Sequence, residues 1–93
     1  MDMKLEEYRE KIDAVDEKLV ALFAERMELS RAIAEYKKEN GLPVLDASRE
    51  KEKLDRAAEQ SPAELREYTR RLYTLLIELS RDYQRELIGK ERA

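Results

Sequence analysis

The sequence predicts an all-α fold, with three helices per chain, one of them very long, assembled as an intertwined helical homodimer. Three observations lead there. Apolar residues recur at alternating spacings of three and four along most of the chain, which marks one face of a helix. Only 2 Gly and 2 Pro punctuate 93 residues, so turns are few and elements long. Charged residues make up 44% of the chain, and the bias towards Glu, Lys, Arg, Leu and Ala is that of long helices. The length fits a single domain, residues 1–93.

The first helix is expected over about residues 5–40. Its apolar positions are Leu5, Tyr8, Ile12, Val15, Leu19, Leu22, Leu29, Ile33 and Tyr36, and Arg26 stands where that series calls for a hydrophobe. Asn40-Gly41 followed by Pro43 is a strong stop, because Gly accepts the left-handed conformation and Pro cannot continue a helix. Asp46 can cap a second helix over about 47–59. Glu50, Leu54 and Ala57 fall on one of its faces, so Glu50 shares the side expected to point inward. Ser61-Pro62-Ala63-Glu64 reads as a capping box with Pro at the first helical position, opening a third helix over about 62–88. Its main stripe is Leu65, Tyr68, Leu72, Leu75 and Leu79, and a second stripe holds Tyr73, Leu76, Ser80, Gln84 and Leu87.

The dimer follows from length. A first helix of about 34 residues would extend roughly 50 Å. A compact domain of this size has a radius of gyration of about 12 Å. The apolar stripe continues over the whole overhang, so another chain must cover it, and a symmetric dimer is the commonest solution.

The residues that are missing exclude whole classes of chemistry. With no Cys there is no disulfide framework, thiolate nucleophile or cysteine metal site. With no His, the usual general base near neutral pH and imidazole metal ligands are gone. The net charge of -3 gives no bulk attraction to nucleic acid or an anionic membrane. No apolar run approaches the ~20 residues of a membrane span, and a cytoplasmic location is the default expectation.

Arg26, Glu50, Ser80 and Gln84 all interrupt apolar faces. Lys37 follows Arg26 by eleven residues, close to three whole turns, so the two share a face about 16 Å apart. Two cationic arms on one face could converge on a small anion, and a buried Arg requires a carboxylate from protein or ligand. Taken singly, each has a plainer account. Exposed Arg and Lys are usually solvated, a seam polar residue can set register, Glu50 complements a helix N-terminus, and Ser80 can back-bond to its own helix.

Taken together, these residues resemble the all-α chorismate mutases of the small intertwined-dimer type. Tyr8-Arg9-Glu10-Lys11-Ile12, Asp16-Glu17-Lys18-Leu19 and Leu22-Phe23-Ala24-Glu25-Arg26 look like the family's first-helix motif, with Lys37 at the family's spacing. Pro43-Val44, Asp46 and Arg49-Glu50 look like its connector and second helix, and Leu75-Leu76-Ile77, Ser80 and Gln84 like its third. The connection around Gln60-Ser61 is shorter than in some relatives.

The resemblance implies a pocket for chorismate. Arg9, Arg26, Lys37 and Arg49 would supply positive charge to two carboxylates and an ether oxygen. Glu50, with Asp46 at the start of the second helix, would engage the ring hydroxyl. Ser80 would contact a carboxylate, and Gln84 would donate to the ether oxygen beside Lys37. The family takes the arginine at position 9 from the other subunit. Arg9 lies 17 residues from Arg26, roughly 25 Å along a helix, too far for one ligand to bridge on one chain. The implied activity is isomerisation of chorismate to prephenate, in aromatic amino-acid biosynthesis, with no cofactor and no metal. The alternatives are an isochorismate–pyruvate lyase of the same fold and a non-catalytic helical dimerisation module. Nothing follows the third helix but Gly89 and a charged tail, so no effector domain is expected within this chain.

Overall fold

The computed structural model describes residues 2–92, with side chains placed from residue 4 to residue 89. Its elements are α1 (Asp2–Glu39), α2 (Ala47–Gln60), a 3₁₀ turn (Ala63–Leu65) and α3 (Arg66–Arg92), and there is no strand among the described residues. The fold is all-α. The 38 residues of α1 span roughly 57 Å at the usual helical rise. That matches the longest dimension of the molecule, 58 Å.

α1 ends where Asn40-Gly41 directs it to. Gly41 has φ +64°, in the left-handed region. The Leu42 N–H donates to the Lys37 carbonyl at 2.8 Å and the Gly41 N–H to the Lys38 carbonyl at 3.3 Å. These paired bonds form a Schellman closure, which satisfies the last carbonyls and fixes the exit of the chain. At the start of α2, Asp46 Oδ1 accepts the Arg49 N–H at 3.0 Å, as a side-chain cap does.

The expected start of the third helix is corrected. Ser61 does not cap it, and no side chain caps the 3₁₀ turn that begins at Ala63. The Ser61 hydroxyl instead lies 3.1 Å from the Ala57 carbonyl oxygen and 2.6 Å from Thr69 Oγ1. Pro62, at ψ 143°, keeps the chain extended for one more residue. The hydroxyl is thus committed to the orphan carbonyls of α2, the capping box cannot close, and regular helix begins four residues later, at Arg66.

A second correction concerns which faces meet. α3 packs against both α1 and α2. On α1 the packed row is Arg26, Ser30, Ala34 and Lys37, small or polar residues that let the helices approach closely. The α1 apolar series from Leu5 to Tyr36 remains between 47% and 61% exposed. On α3 the inner face runs along the second stripe and the neighbouring Ile77, with Ile77 and Gln84 buried, while Leu65, Tyr68, Leu72 and Leu75 of the expected main stripe are exposed. The Leu5–Tyr36 series of α1 and Leu65, Tyr68, Leu72 and Leu75 therefore face away from the chain's own core, while Ile77 packs into it.

The buried apolar residues, among those described, are Ala34, Ala57, Ala58 and Ile77. The chain exposes 7725 Å², where a compact chain of 11.0 kDa exposes about 5,600 Å². Its radius of gyration is 17.1 Å against about 12 Å for a compact chain of this length.

Candidate active site

A cavity of about 550 Å³ opens between the C-terminal half of α1, the first turns of α2 and the C-terminal half of α3. Seven of the sequence-predicted site residues line it: Arg26, Lys37, Asp46, Arg49, Glu50, Ser80 and Gln84. The eighth, Arg9, does not. It stands on the overhanging part of α1, 63% exposed, paired to Glu6 at 3.2 Å.

Each element brings its residues in for a local reason. Arg26, Ser30 and Lys37 lie at spacings of four and seven on α1, hence on one face. The Schellman closure turns the connector back over that face, and Lys37 Nζ donates to the Val44 carbonyl at 2.7 Å. The Asp46 cap starts α2 so that Glu50, in its first turn, faces α3. Ser80 and Gln84, one turn apart on α3, complete the wall.

The cavity floor is a hydrogen-bonded chain. Ser30 Oγ and Ser80 Oγ are 2.6 Å apart, and Gln84 Nε2 donates to Ser80 Oγ at 3.2 Å. Gln84 is 6% exposed, yet its Oε1 is buried with no hydrogen-bond partner. One of its two amide hydrogens is bonded to Ser80, so a second remains for a ligand.

The charge on the lining is strongly one-sided. Five cations, Arg26, Lys37, Arg49, Lys53 and Arg81, stand against two acids, Asp46 and Glu50. Arg49 is drawn to Glu52 at 3.1 Å and Arg81 to Glu50 at 3.1 Å. Arg26 and Lys37 have no carboxylate partner among the described residues; they reach only the Leu76 and Val44 carbonyls, at 3.4 and 2.7 Å. Two half-buried cations without a counter-ion in a concave site are an arrangement made for an anion.

Sequence reasoning missed Ser30, Lys53 and Arg81. Ser30 could have been found, since it lies one turn after Arg26 on the same face. Lys53 and Arg81 gave no signal, because a charged residue on a polar helix ordinarily reads as solvated.

Among the described residues two titrating groups, Arg31 and Asp55, are shifted, both outside the cavity. Hydrogen bonds from Lys51 and Arg70 hold the Asp55 carboxyl below the usual carboxylate range. A hydrogen bond to the Tyr83 hydroxyl, at 3.2 Å, raises the Arg31 guanidinium. Both contacts tie neighbouring helices to α3. No group of three or more metal-ligating side chains occurs among the described residues. No helix among them is long and apolar enough to cross a membrane.

The sequence profile of the chorismate mutase type II family matches residues 8–85, which contain the cavity's helices and all eight predicted site residues. The chain belongs to the chorismate mutase type II family. Among curated relatives, it is 47% identical over 53 residues to a chorismate mutase of Methanocaldococcus jannaschii, covering 57% of this chain and 54% of that protein. It is 43% identical over 72 residues to a bifunctional chorismate mutase/prephenate dehydratase of Escherichia coli K12, covering 75% of this chain and 19% of the relative. The corresponding bifunctional protein of Buchnera aphidicola is 36% identical over 86 residues, 89% of this chain and 22% of the relative. This chain thus spans about half the length of one such relative and about a fifth of the others. In chorismate mutase family terms, the cavity is where the three family helices converge.

Proposed function

We propose that the chain is a chorismate mutase, an isomerase that converts chorismate to prephenate in aromatic amino-acid biosynthesis, working as a homodimer with two shared sites. The observation that carries the reading is the pair of cations without a carboxylate partner among the described residues, Arg26 and Lys37, facing a cavity of about 550 Å³ that the buried Gln84 amide also lines. Family membership supports it, as do the relatives' names.

The reaction is intramolecular and pericyclic. The ether C–O bond to the ring breaks while the methylene carbon of the enolpyruvyl group bonds to the ring carbon bearing the carboxylate. The ether oxygen becomes the ketone oxygen of prephenate, and no proton, electron or leaving group is exchanged. A chain without His or Cys can perform this.

Two contributions remain for the protein. Arg26, Arg49 and Ser80 hold the two carboxylates so that a flexible dianion keeps the compact conformer that reacts, an orientation effect. Lys37 and Gln84 donate to the ether oxygen, where negative charge grows as the C–O bond breaks. Glu50 and Asp46 face the ring hydroxyl. The Ser30–Ser80–Gln84 chain fixes Ser80 and Gln84 in advance, so little reorganisation is needed at the moment of reaction.

The dimer rests on area. The surface beyond that of a compact chain is on the order of 2,000 Å², the scale of an obligate interface, and the apolar faces of α1 and α3 supply it. A second copy lying antiparallel would cover both faces and bring its Arg9 to this cavity. A cytoplasmic location belongs to the same proposal, since a dianionic substrate does not cross a bilayer unaided.

The test is direct. Purified protein mixed with chorismate should consume it and yield prephenate. Release of salicylate and pyruvate from isochorismate, with chorismate untouched, would replace the mutase with the lyase, and no turnover of either would leave only a helical dimer.

A further inference from the structure

We propose that Arg81 is a positioning residue for Glu50: it clamps the carboxylate so that one oxygen is held and the other is presented to the substrate's ring hydroxyl. The proposal rests on the mutase reading of the cavity, and assigns a role to a residue that neither composition nor helical spacing singled out.

Four observations carry it. Arg81 Nε lies 3.1 Å from Glu50 Oε2, and both side chains are mostly covered, 31% and 22% exposed. The contact joins the first turn of α2 to α3 across the cavity wall, and both residues line the cavity. Arg81 Nε is buried and makes no aligned hydrogen bond, so the pair is held by charge at this distance and not yet by a directed bond. The contact is made through Oε2, which leaves Oε1 to accept from a ligand.

The chemistry follows from what an unclamped Glu would do. The cavity holds three further cations not paired to Glu50 or Glu52, and a free carboxylate on a flexible stem would swing towards one of them. Arg26, Lys37 and Lys53 have no carboxylate partner among the described residues, and Arg26 and Lys37 are the two on the α1 wall. Glu50 folded onto either would occupy a substrate carboxylate's place and cancel the charge that binds it. Arg81 satisfies Glu50 on the far wall and leaves Arg26 and Lys37 open. A small rotation of the Glu50 carboxylate as Oε1 accepts a hydrogen bond from the hydroxyl would also align Oε2 with the Arg81 N–H and satisfy that donor.

The ring hydroxyl sits on the carbon next to the one whose C–O bond breaks but takes no part in the bond changes, so its contact is made largely alike in ground and transition states. Losing such a contact raises KM and leaves kcat nearly intact. Arg81→Met should therefore raise KM for chorismate about 10-fold with kcat within about 3-fold, in line with the cost of misplacing a positioned group. Arg81→Lys, which keeps the charge, should recover part of the loss. The deciding arm is a double-mutant cycle: in a Glu50→Gln background, Arg81→Met should change KM by less than about 2-fold.

Melting and gel filtration accompany each variant. A fall in kcat at unchanged KM reports a smaller folded fraction and would overturn the positioning role. An undiminished Arg81→Met effect in the Glu50→Gln background would mean that Arg81 meets the substrate itself, and would also overturn it. Those failures leave the parent enzyme active, whereas a parent that does not turn over chorismate removes the mutase reading and this proposal with it.

Discussion

Lys37 carries more of the account than any other side chain. The main chain of this residue accepts the bond that closes α1, and its ammonium reaches into the cavity past the Val44 carbonyl. Removing a donor aimed at developing charge typically costs ~10²–10³ in rate. Lys37→Ala should lower kcat by at least that much, while its melting temperature stays within a few degrees, since the closure is made by the backbone. Near-parental turnover would remove Lys37 from the mechanism. Gln84 allows a sharper test through pH. An amide donates at any pH, so the parent's activity should be flat through neutrality. Gln84→Glu donates only when protonated, and a carboxyl ordinarily titrates near pH 4.3. That variant's kcat should rise as pH falls towards the carboxyl's pKa and collapse above it. A flat profile in the variant would show that the side chain does not donate to the reacting oxygen. At this scale helical spacing made Arg26, Lys37, Glu50, Ser80 and Gln84 legible, because it decides which side chains share a face, while Asp46 and Arg49 were reached through the family resemblance; all seven line one cavity. Arg81 and Lys53 stayed hidden because only their place on the folded cavity wall, and for Arg81 its partner on another helix, distinguishes them from solvated charges.

The elements were legible in number and order, and less so at their ends. The Asn40-Gly41 stop was readable since a positive φ leaves few choices of residue. Nothing lies within 4 Å of a Cβ built on Gly41, so its replacement meets backbone strain alone. Gly41→Ala should cost about 1 kcal/mol, Gly41→Asn less, both read as a lower melting temperature. Equal stability of Gly41→Ala and the parent would show the closure to be dispensable. The Ser61 box failed for a reason that local sequence does not contain: its hydroxyl is taken by Thr69, eight residues on, and by the end of α2. The α2–α3 tie near that turn includes Asp55, bonded to Lys51 at 3.1 Å and to Arg70 at 3.2 Å. Its pKa is lowered in the folded state, so the tie stabilises the fold above the unfolded carboxyl's pKa and is lost as pH falls through the lowered one. Asp55→Asn should melt slightly below the parent at pH 7, by less in 1 M salt, with the gap closing on acidification. A gap independent of both would assign the effect to packing.

For the whole molecule, the apolar periodicity was clear, but its destination was not. Leu5 to Tyr36 and Leu65 to Leu75 read as apolar stripes, and a period of 3.6 cannot say how much of a stripe packs on its own chain and how much on another. The structure gives the own-chain contact to the small and polar row Arg26, Ser30, Ala34 and Lys37, and leaves the large stripes outside. A chain with four buried apolar side chains among its described residues, and 7725 Å² exposed, has its stabilising surface still to cover. The proposed second copy covers it and supplies Arg9, so fold and catalysis depend on the same assembly. Arg9→Ala and Arg26→Ala should each be nearly inactive alone, because every site in either homodimer lacks one arginine. Unfolded together and refolded as a mixture, half the dimers are hybrids, and each hybrid has one site with both arginines intact and one with neither. The mixture should recover about a quarter of the parental chorismate mutase activity. A mixture no more active than its two components would contradict a site shared between two chains.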